Sequence, residues 1–364
     1  MKRSILLLGL LSAFSANLLA ADNTLVLQKD LTSQTWLQKD SLTKSLNPGA
    51  FTRLMTAYTA LRIIESSEKI LDTTVIKKEK NQRKELEKSI KLLFISLTEQ
   101  QYRNLLEALG TNNKAFIETM NQTADALGME DSHFTSALAT DDRKHRTTPK
   151  DLILLTEAVF RHPFLRQAPT SLSEGILDSQ HGRRNFDADA LQTPFVFGGR
   201  LGDDWSGVFV SENQYDSGRV RRLASIVLNA DSIEDLTDLA AQVIKHGFMS
   251  SETLPLFKAG EIVGEILIAH GETRKLPVYV REDTFVTIQK SDLENNRTEA
   301  FKILISHASP LKAPIAQGEE VGKMTVFLHN QTLLEAPVFA HSTVNTGSFW
   351  QRFTDTVRFA LNSQ

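Results

Sequence analysis

Two tetrapeptides within "KDSLTKSLNPGAFTRLMTAY" share one layout. Ser41-Leu42-Thr43-Lys44 sets a hydroxyl three residues ahead of an amine, the pair of groups that serves acyl transfer as nucleophile and base. Ala50-Phe51-Thr52-Arg53 repeats the spacing with a methyl group and a guanidinium. A methyl cannot attack a carbonyl, and a guanidinium with a pKa above about 12 is not a usable general base. What chemistry is possible therefore depends on which tetrapeptide the surrounding elements carry into a site.

Phe51, Leu54, Met55, Tyr58, Leu61 and Ile64 recur at helical spacing, and Pro48 suits a helix entrance. A buried helix is expected from near Gly49 to about Ile70, with Ala50 and Arg53 in its first turns. Upstream, "TLVLQKDLTSQTWLQKD" reads as a β-hairpin turning within Asp30 to Ser33, which leaves Ser41 and Lys44 in the connection to the helix. A second helix begins after Ser96, where Ser96-x-x-Glu99 has the form of a capping box, and stops at Gly110. The mixed-charge run 77–89 reads as a solvated helix face, and 114–128 and 150–162 are helical by pattern. "RRLASIVLNA" is a buried strand, followed by an Asp231-Ser232-x-x-Asp235 helix start. From Leu254 to Phe339 short alternating stretches dominate and no helix is expected.

The last stretch is amphipathic. Phe349, Trp350, Phe353, Val357 and Leu361 share one helical arc with Ala360, while Arg352, Asp355 and Arg358 lie elsewhere. It is too short to span a bilayer, and two readings stand: a helix packed on the β domain, or an interfacial membrane anchor. At the other end, Lys2 and Arg3 precede an apolar run and small residues at Ala20 and Ala21, the pattern of a secretory signal peptide.

A chain of 364 residues, 41% hydrophobic and 23% charged, is long enough for two folded domains. The formal charge of −3 does not recruit nucleic acid. Cysteine is absent, which excludes disulfides, thiol nucleophiles and Cys-ligated metal, and an exported chain without disulfides fits a bacterial envelope. The nine histidines form no His-x-x-x-His or His-Glu-x-x-His, so neither a metal nor a cofactor is expected.

This order of elements, with "NPGAFTRLMTAY", "AFIETMNQTADALGMEDSHF", "RRLASIVLNADS" and "PLKAPIAQGEEVGKMTVFLHNQTLLEAPV", resembles the D-alanyl-D-alanine carboxypeptidases among the low-molecular-weight penicillin-binding proteins. The resemblance implies an α/β (α+β) transpeptidase/β-lactamase-like domain over 21–250, a small all-β domain over 251–342 and a C-terminal amphipathic helix over 343–364, after a signal peptide over 1–20. In that family the active serine opens a buried helix in the pattern Pro-Ala/Gly-Ser-x-Thr-Lys-Leu/Met-Met. Pro48, Gly49, Thr52, Leu54 and Met55 match it, so the resemblance places the nucleophile position on Ala50 and the base position on Arg53. Ser41-Lys44 lies upstream of that register.

The family's second motif, Ser-Gly-Asn, falls by the same resemblance on Leu97, Thr98 and Glu99, and its third, Lys-Thr/Ser-Gly, on Arg200, Leu201 and Gly202. Two readings of the surviving charge are open. Either Arg53 pairs with Glu99 beside Arg200 in a filled pocket, or Arg53 and Arg200 still receive a carboxylate such as the end of a stem peptide. Arg183 and Arg184 could line such a groove, although surface positions suit them better. The expected role is that of a pseudoenzyme in the periplasm, on the outer face of the inner membrane. Peptidoglycan or a muropeptide is the expected partner; activity through a displaced Ser41 with Lys44 is the alternative.

Overall fold

The computed structural model describes residues 23–39, 41–68, 86, 89–90, 92–94, 97–167, 191–201, 204–215, 219–295, 301–308, 310–328 and 331–350. The chain divides into two compact units, one holding the residues up to Leu31 with Trp36–Gly247, the other Thr32–Thr35 with Phe248 onward.

The first unit opens with β1 (Leu25–Asp30) and β2 (Thr35–Lys39), a hairpin with its turn at 31–34. Helices α1 (Phe51–Glu68), α2 (Glu99–Ala108), α3 (Asn113–Ala126), α4 (Pro149–Arg161) and α5 (Pro163–Gln167) follow. Then come β3 (Phe195–Leu201), β4 (Asp204–Gln214), β5 (Val220–Ala230) and α6 (Ile233–Ser250). The five strands form one sheet in the order β2-β1-β5-β4-β3, so β3 lies at an edge. Its pairings from β1 through β5 and β4 to β3 are antiparallel.

Helix α1 is buried on nearly every side, because Phe51, Leu54, Met55, Ala57 and Ala60 are joined inside by Thr52, Thr56 and Thr59. Most buried hydroxyls have a partner. Thr56 Oγ1 donates to the Thr52 carbonyl, with the Ala137 carbonyl as a second acceptor, both at 2.9 Å. Burying a side chain such as Phe51 stabilises by about 2 to 3 kcal/mol. Ser232 caps α6 by accepting from the Asp235 N–H at 3.0 Å, as the sequence pattern predicts.

Under α6, Gln28 of β1 donates to Ser225 Oγ at 2.9 Å and to the Val243 carbonyl at 3.0 Å. A Cβ at Gly247 would stand 2.1 Å from Gln28 Oε1. Gly247→Ala should therefore displace this buried amide and lower stability by about 1 to 3 kcal/mol, read as a lower urea midpoint. An unchanged midpoint would show that Gln28 yields without loss.

The second unit contains β6 (Ser251–Phe257), β7 (Ile262–Ala269), β8 (Lys275–Tyr279), β9 (Thr284–Gln289), α7 (Lys290–Asn295), β10 (Lys302–Ser306), β11 (Leu311–Lys312), β12 (Glu320–Leu328) and β13 (Gln331–Ala340). Six strands run in the order β10-β12-β13-β8-β7-β11, and β6 pairs with β9. Their core is aliphatic, built on Ile266, Val278, Ile288, Met324, Val326 and Val338. Helix α7 corrects the expectation of a helix-free domain: a six-residue turn of helix carries no periodic signature. Ser33, in the hairpin turn, belongs to this unit and bonds Thr287 Oγ1 at 2.6 Å.

Among the described residues no helix is long and apolar enough to cross a membrane. The signal-peptide segment, Arg183, Arg184, Gly202, Phe353, Val357 and Leu361 lie outside the described residues. Phe349 and Trp350 are exposed, with their rings 6.0 Å apart.

Candidate functional site

The entrance to α1 is built from main-chain and side-chain turns. Asn47 Oδ1 accepts from the Gly49 N–H at 2.8 Å while its amide donates to the Thr140 carbonyl at 2.7 Å. Gly49 takes φ 49°, a left-handed conformation that glycine adopts without a Cβ penalty. The carbonyls of Pro48, Gly49 and Ala50 then accept from Phe51, Thr52 and Arg53 in turn. Ala50 is thereby held just ahead of the helix, half-buried.

Strand β3 runs directly against it. A Cβ at Gly199 would lie 2.9 Å from Ala50 Cβ and 3.4 Å from Arg53 Nη2, so the strand approaches this closely only because residue 199 has no side chain. The Arg53 guanidinium sits 5.6 Å from the centre of the Phe197 ring, which also meets Phe51 and Phe94. Burial lowers the Arg53 pKa, yet a guanidinium keeps its proton throughout the physiological range.

Side chains alternate along a strand. Phe197 and Gly199 face α1, so Arg200 projects from the other face, where its guanidinium lies 5.5 Å from the ring of its cross-strand neighbour Trp205. The structure brings Ala50, Arg53 and Gly199 together and leaves Arg200 apart from them. Leu201 ends the strand.

The expected Arg53–Glu99 pairing is corrected as well. Glu99 is exposed and pairs with Arg103 one turn along α2 at 3.2 Å. The helix cap is Thr98, not Ser96: Thr98 Oγ1 accepts from the Gln101 N–H at 3.2 Å and the Thr98 N–H donates to Gln101 Oε1 at 2.7 Å. The Thr98 hydroxyl is thus engaged in capping, and Leu97 packs at the margin of the core.

Ser41 and Lys44 sit in an exposed turn, Ser41 at φ 52° with its carbonyl accepting from the Lys44 N–H at 3.0 Å. Lys44 Nζ reaches Asn23 Oδ1 at 3.5 Å, and among the described residues no base is hydrogen-bonded to the Ser41 hydroxyl.

One residue at this site has no local signal in the sequence. His145 is buried, and its Nε2 lies 2.9 Å from Thr52 Oγ1, the side chain next to Arg53. The Thr135 N–H donates to Nδ1 at 3.1 Å, so the ring proton resides on Nε2 and is given to Thr52. Burial pulls the His145 pKa down to about 4, against a smaller opposing effect of Asp142. A second proton would occupy Nδ1 and break the bond from Thr135.

Between the unfolded value near 6.5 and the folded value near 4, the unfolded chain binds the extra proton. Stability from this group is therefore complete above about pH 6.5 and is lost as pH falls toward 4, by roughly 3 kcal/mol. Urea unfolding at pH 7 and pH 4.5 should show that decline in the natural chain, and a smaller one in His145→Gln. Parallel declines would place the acid sensitivity elsewhere.

Among the described residues no three His, Cys, Asp or Glu side chains gather as a metal site.

Residues 252–346 match the family model for the penicillin-binding protein 5 C-terminal domain. The D-alanyl-D-alanine carboxypeptidase DacD of Escherichia coli is 20% identical over 259 residues, covering 69% of this chain and 63% of that protein. DacF of Bacillus subtilis, also a D-alanyl-D-alanine carboxypeptidase, is 18% identical over 248 residues, 67% of this chain and 62% of its own. The chain spans less than two thirds of the length of these curated relatives, 63% in the first case.

Among solved structures, penicillin-binding protein 5 of Haemophilus influenzae superposes with a TM-score of 0.66 at 17% identity, over 88% of this chain and 96% of that one. The D-alanyl-D-alanine carboxypeptidase DacD of Francisella tularensis gives 0.56 at 18%, over 88% and 93%. These likenesses establish a shared fold for both the mixed helix-and-sheet part and the β-rich C-terminal part. The chain thus carries a penicillin-binding protein 5 C-terminal domain over residues 252–346, is similar in sequence to several D-alanyl-D-alanine carboxypeptidases and shares the fold of penicillin-binding protein 5.

Proposed function

We propose that this chain is a non-catalytic member of the D-alanyl-D-alanine carboxypeptidase family, acting in the periplasm by binding peptidoglycan stem peptides or an envelope partner. The observation that carries the proposal is Ala50, held at the entrance of α1 where the family pattern puts its serine, with Gly199 of β3 against it. Acyl transfer needs a nucleophile and a proton acceptor, and Ala50 and Arg53 provide neither. Arg53, lying over Phe197 beside Gly199, acts in this reading as a filler of the former catalytic position.

The peptidoglycan assignment rests on the relatives, whose names describe enzymes acting on D-alanyl-D-alanine ends. The periplasmic location rests on the signal-peptide pattern in residues 1–20. The exposed Phe349 and Trp350 at the start of the amphipathic stretch support attachment to the inner-membrane surface, and removal of the chain from Phe349 onward should then release it from membranes.

The test is a soluble stem pentapeptide ending in D-alanyl-D-alanine, titrated into the mature chain by calorimetry while D-alanine release is followed. Saturable binding without release is expected. Release would overturn the non-catalytic assignment; absence of binding would overturn the stem-peptide half and leave the envelope partner.

A further inference from the structure

In the second unit, Arg281 lies at 3.8 Å from the centre of the Phe339 ring and donates through Nη2 to the Gly318 carbonyl. Stacking covers one face of the guanidinium, and the bond to Gly318 fixes its rotation. A guanidinium has five N–H donors in one plane, so most of its edge remains directed outward. Arg281 is exposed, and among the described residues no carboxylate pairs with it.

A second donor points to the same place. Gly318 adopts φ +79°, and a Cβ on it would stand 3.5 Å from Arg281 Nη2 and 4.0 Å from Tyr279 Oη. The guanidinium and the phenol therefore converge over a residue with no side chain. No hydrogen bond engages the Tyr279 hydroxyl among the described residues. The Tyr279 ring is itself held between Phe339 at 6.1 Å and the edge-on His341 ring at 6.0 Å, which gives the spot an aromatic wall.

A cation with a fixed planar fork, a hydroxyl beside it and bare backbone between them match a planar oxyanion that accepts from both donors. We infer that Tyr279, Arg281 and Gly318 form a binding site for a carboxylate group, with His341 flanking it. This site lies in the β-rich unit, away from Ala50 and Arg53 in sequence and unit, and does not depend on the proposal made for them.

The probe is an N-acetylated dipeptide with an ionised C-terminal carboxylate, titrated into the mature chain by calorimetry, with its C-terminal amide as the control. The acid should bind and the amide should bind at least tenfold more weakly. Arg281→Gln should weaken the acid tenfold or more, Arg281→Lys should restore only part of the loss because the fork is gone, and Arg103→Ala, at an exposed surface pair of the first unit, should leave the affinity unchanged. Equal affinity for acid and amide would overturn the inference, as would an Arg281→Gln variant with an unaltered melting temperature and affinity within twofold of the natural chain. Loss of binding in Arg53→Ala alone would move the carboxylate to the first unit. Displacement of the dipeptide by inorganic phosphate of higher affinity would replace the carboxylate with a phosphate.

Discussion

Incubated with a reactive penicillin, the chain should keep its unmodified intact mass under conditions in which an active relative is fully acylated. Ala50 offers no electron pair where the family serine would attack, and removing the nucleophile of a serine hydrolase lowers turnover on the order of 10⁶-fold. Arg53 cannot take a proton from an incoming group. The other hydroxyl near the second-motif position, Thr98, is engaged by the Gln101 N–H. Ser41 stands in an exposed turn with Lys44 directed to Asn23 instead. An adduct of one drug mass would overturn this account, and peptide mapping would show whether Ser41 carries it.

The double variant A50S/R53K sharpens the point. It restores the two groups of the first motif but leaves Leu97 and Leu201 where the resemblance places a serine and a hydroxyl. Each missing transition-state partner lowers a rate by about 10²- to 10³-fold, so acylation should remain far slower than in an active relative. Acylation at the relative's rate would mean that the rest of the site is intact.

The first motif was legible because a helix buried all round repeats apolar residues over several turns, and Phe51 to Ile64 does so. The hairpin and the cap at Ser232 were legible for similar reasons: each is written within a few consecutive residues. The cap of α2 shows where such rules run out, since both Ser96-x-x-Glu99 and Thr98-x-x-Gln101 satisfy the capping-box pattern, and the cap of α2 is Thr98 with Gln101.

Strand alternation sets Arg200 apart from Ala50 and Arg53. Phe195, Phe197 and Gly199 share a parity that Arg200 lacks, and the two phenylalanines are buried. The pairing of His145 with Thr52 joins positions 93 residues apart, and no local pattern encodes it. The convergence of Tyr279, Arg281 and Gly318 has the same origin, because β-strand register brings distant segments together without marking either one.

Asp30→Ala should be among the most damaging single substitutions in the chain, lowering stability by about 3 to 5 kcal/mol in urea unfolding at pH 7. Arg221 Nε donates to Asp30 Oδ2 at 2.7 Å, and the two side chains are 1% and 0% exposed. The pair links β1 to β5, neighbours near the middle of the five-stranded sheet. Removing the carboxylate takes from a buried guanidinium the acceptor 2.7 Å from its Nε. Domains of ordinary stability have only about 5 to 15 kcal/mol in hand, so one such loss is a large share.

Two comparisons separate this burial argument from simple loss of attraction. Glu265→Ala breaks a pair of similar length, Lys275–Glu265 at 2.7 Å, but those side chains are 66% and 50% exposed, and the expected effect is below about 1 kcal/mol. The double variant D30L/R221M removes both buried charges and should be more stable than either D30L or R221M alone, because neither charge is left uncompensated. Additive losses in that cycle, or an Asp30→Ala effect no larger than that of Glu265→Ala, would show that Arg221 finds other compensation inside the sheet.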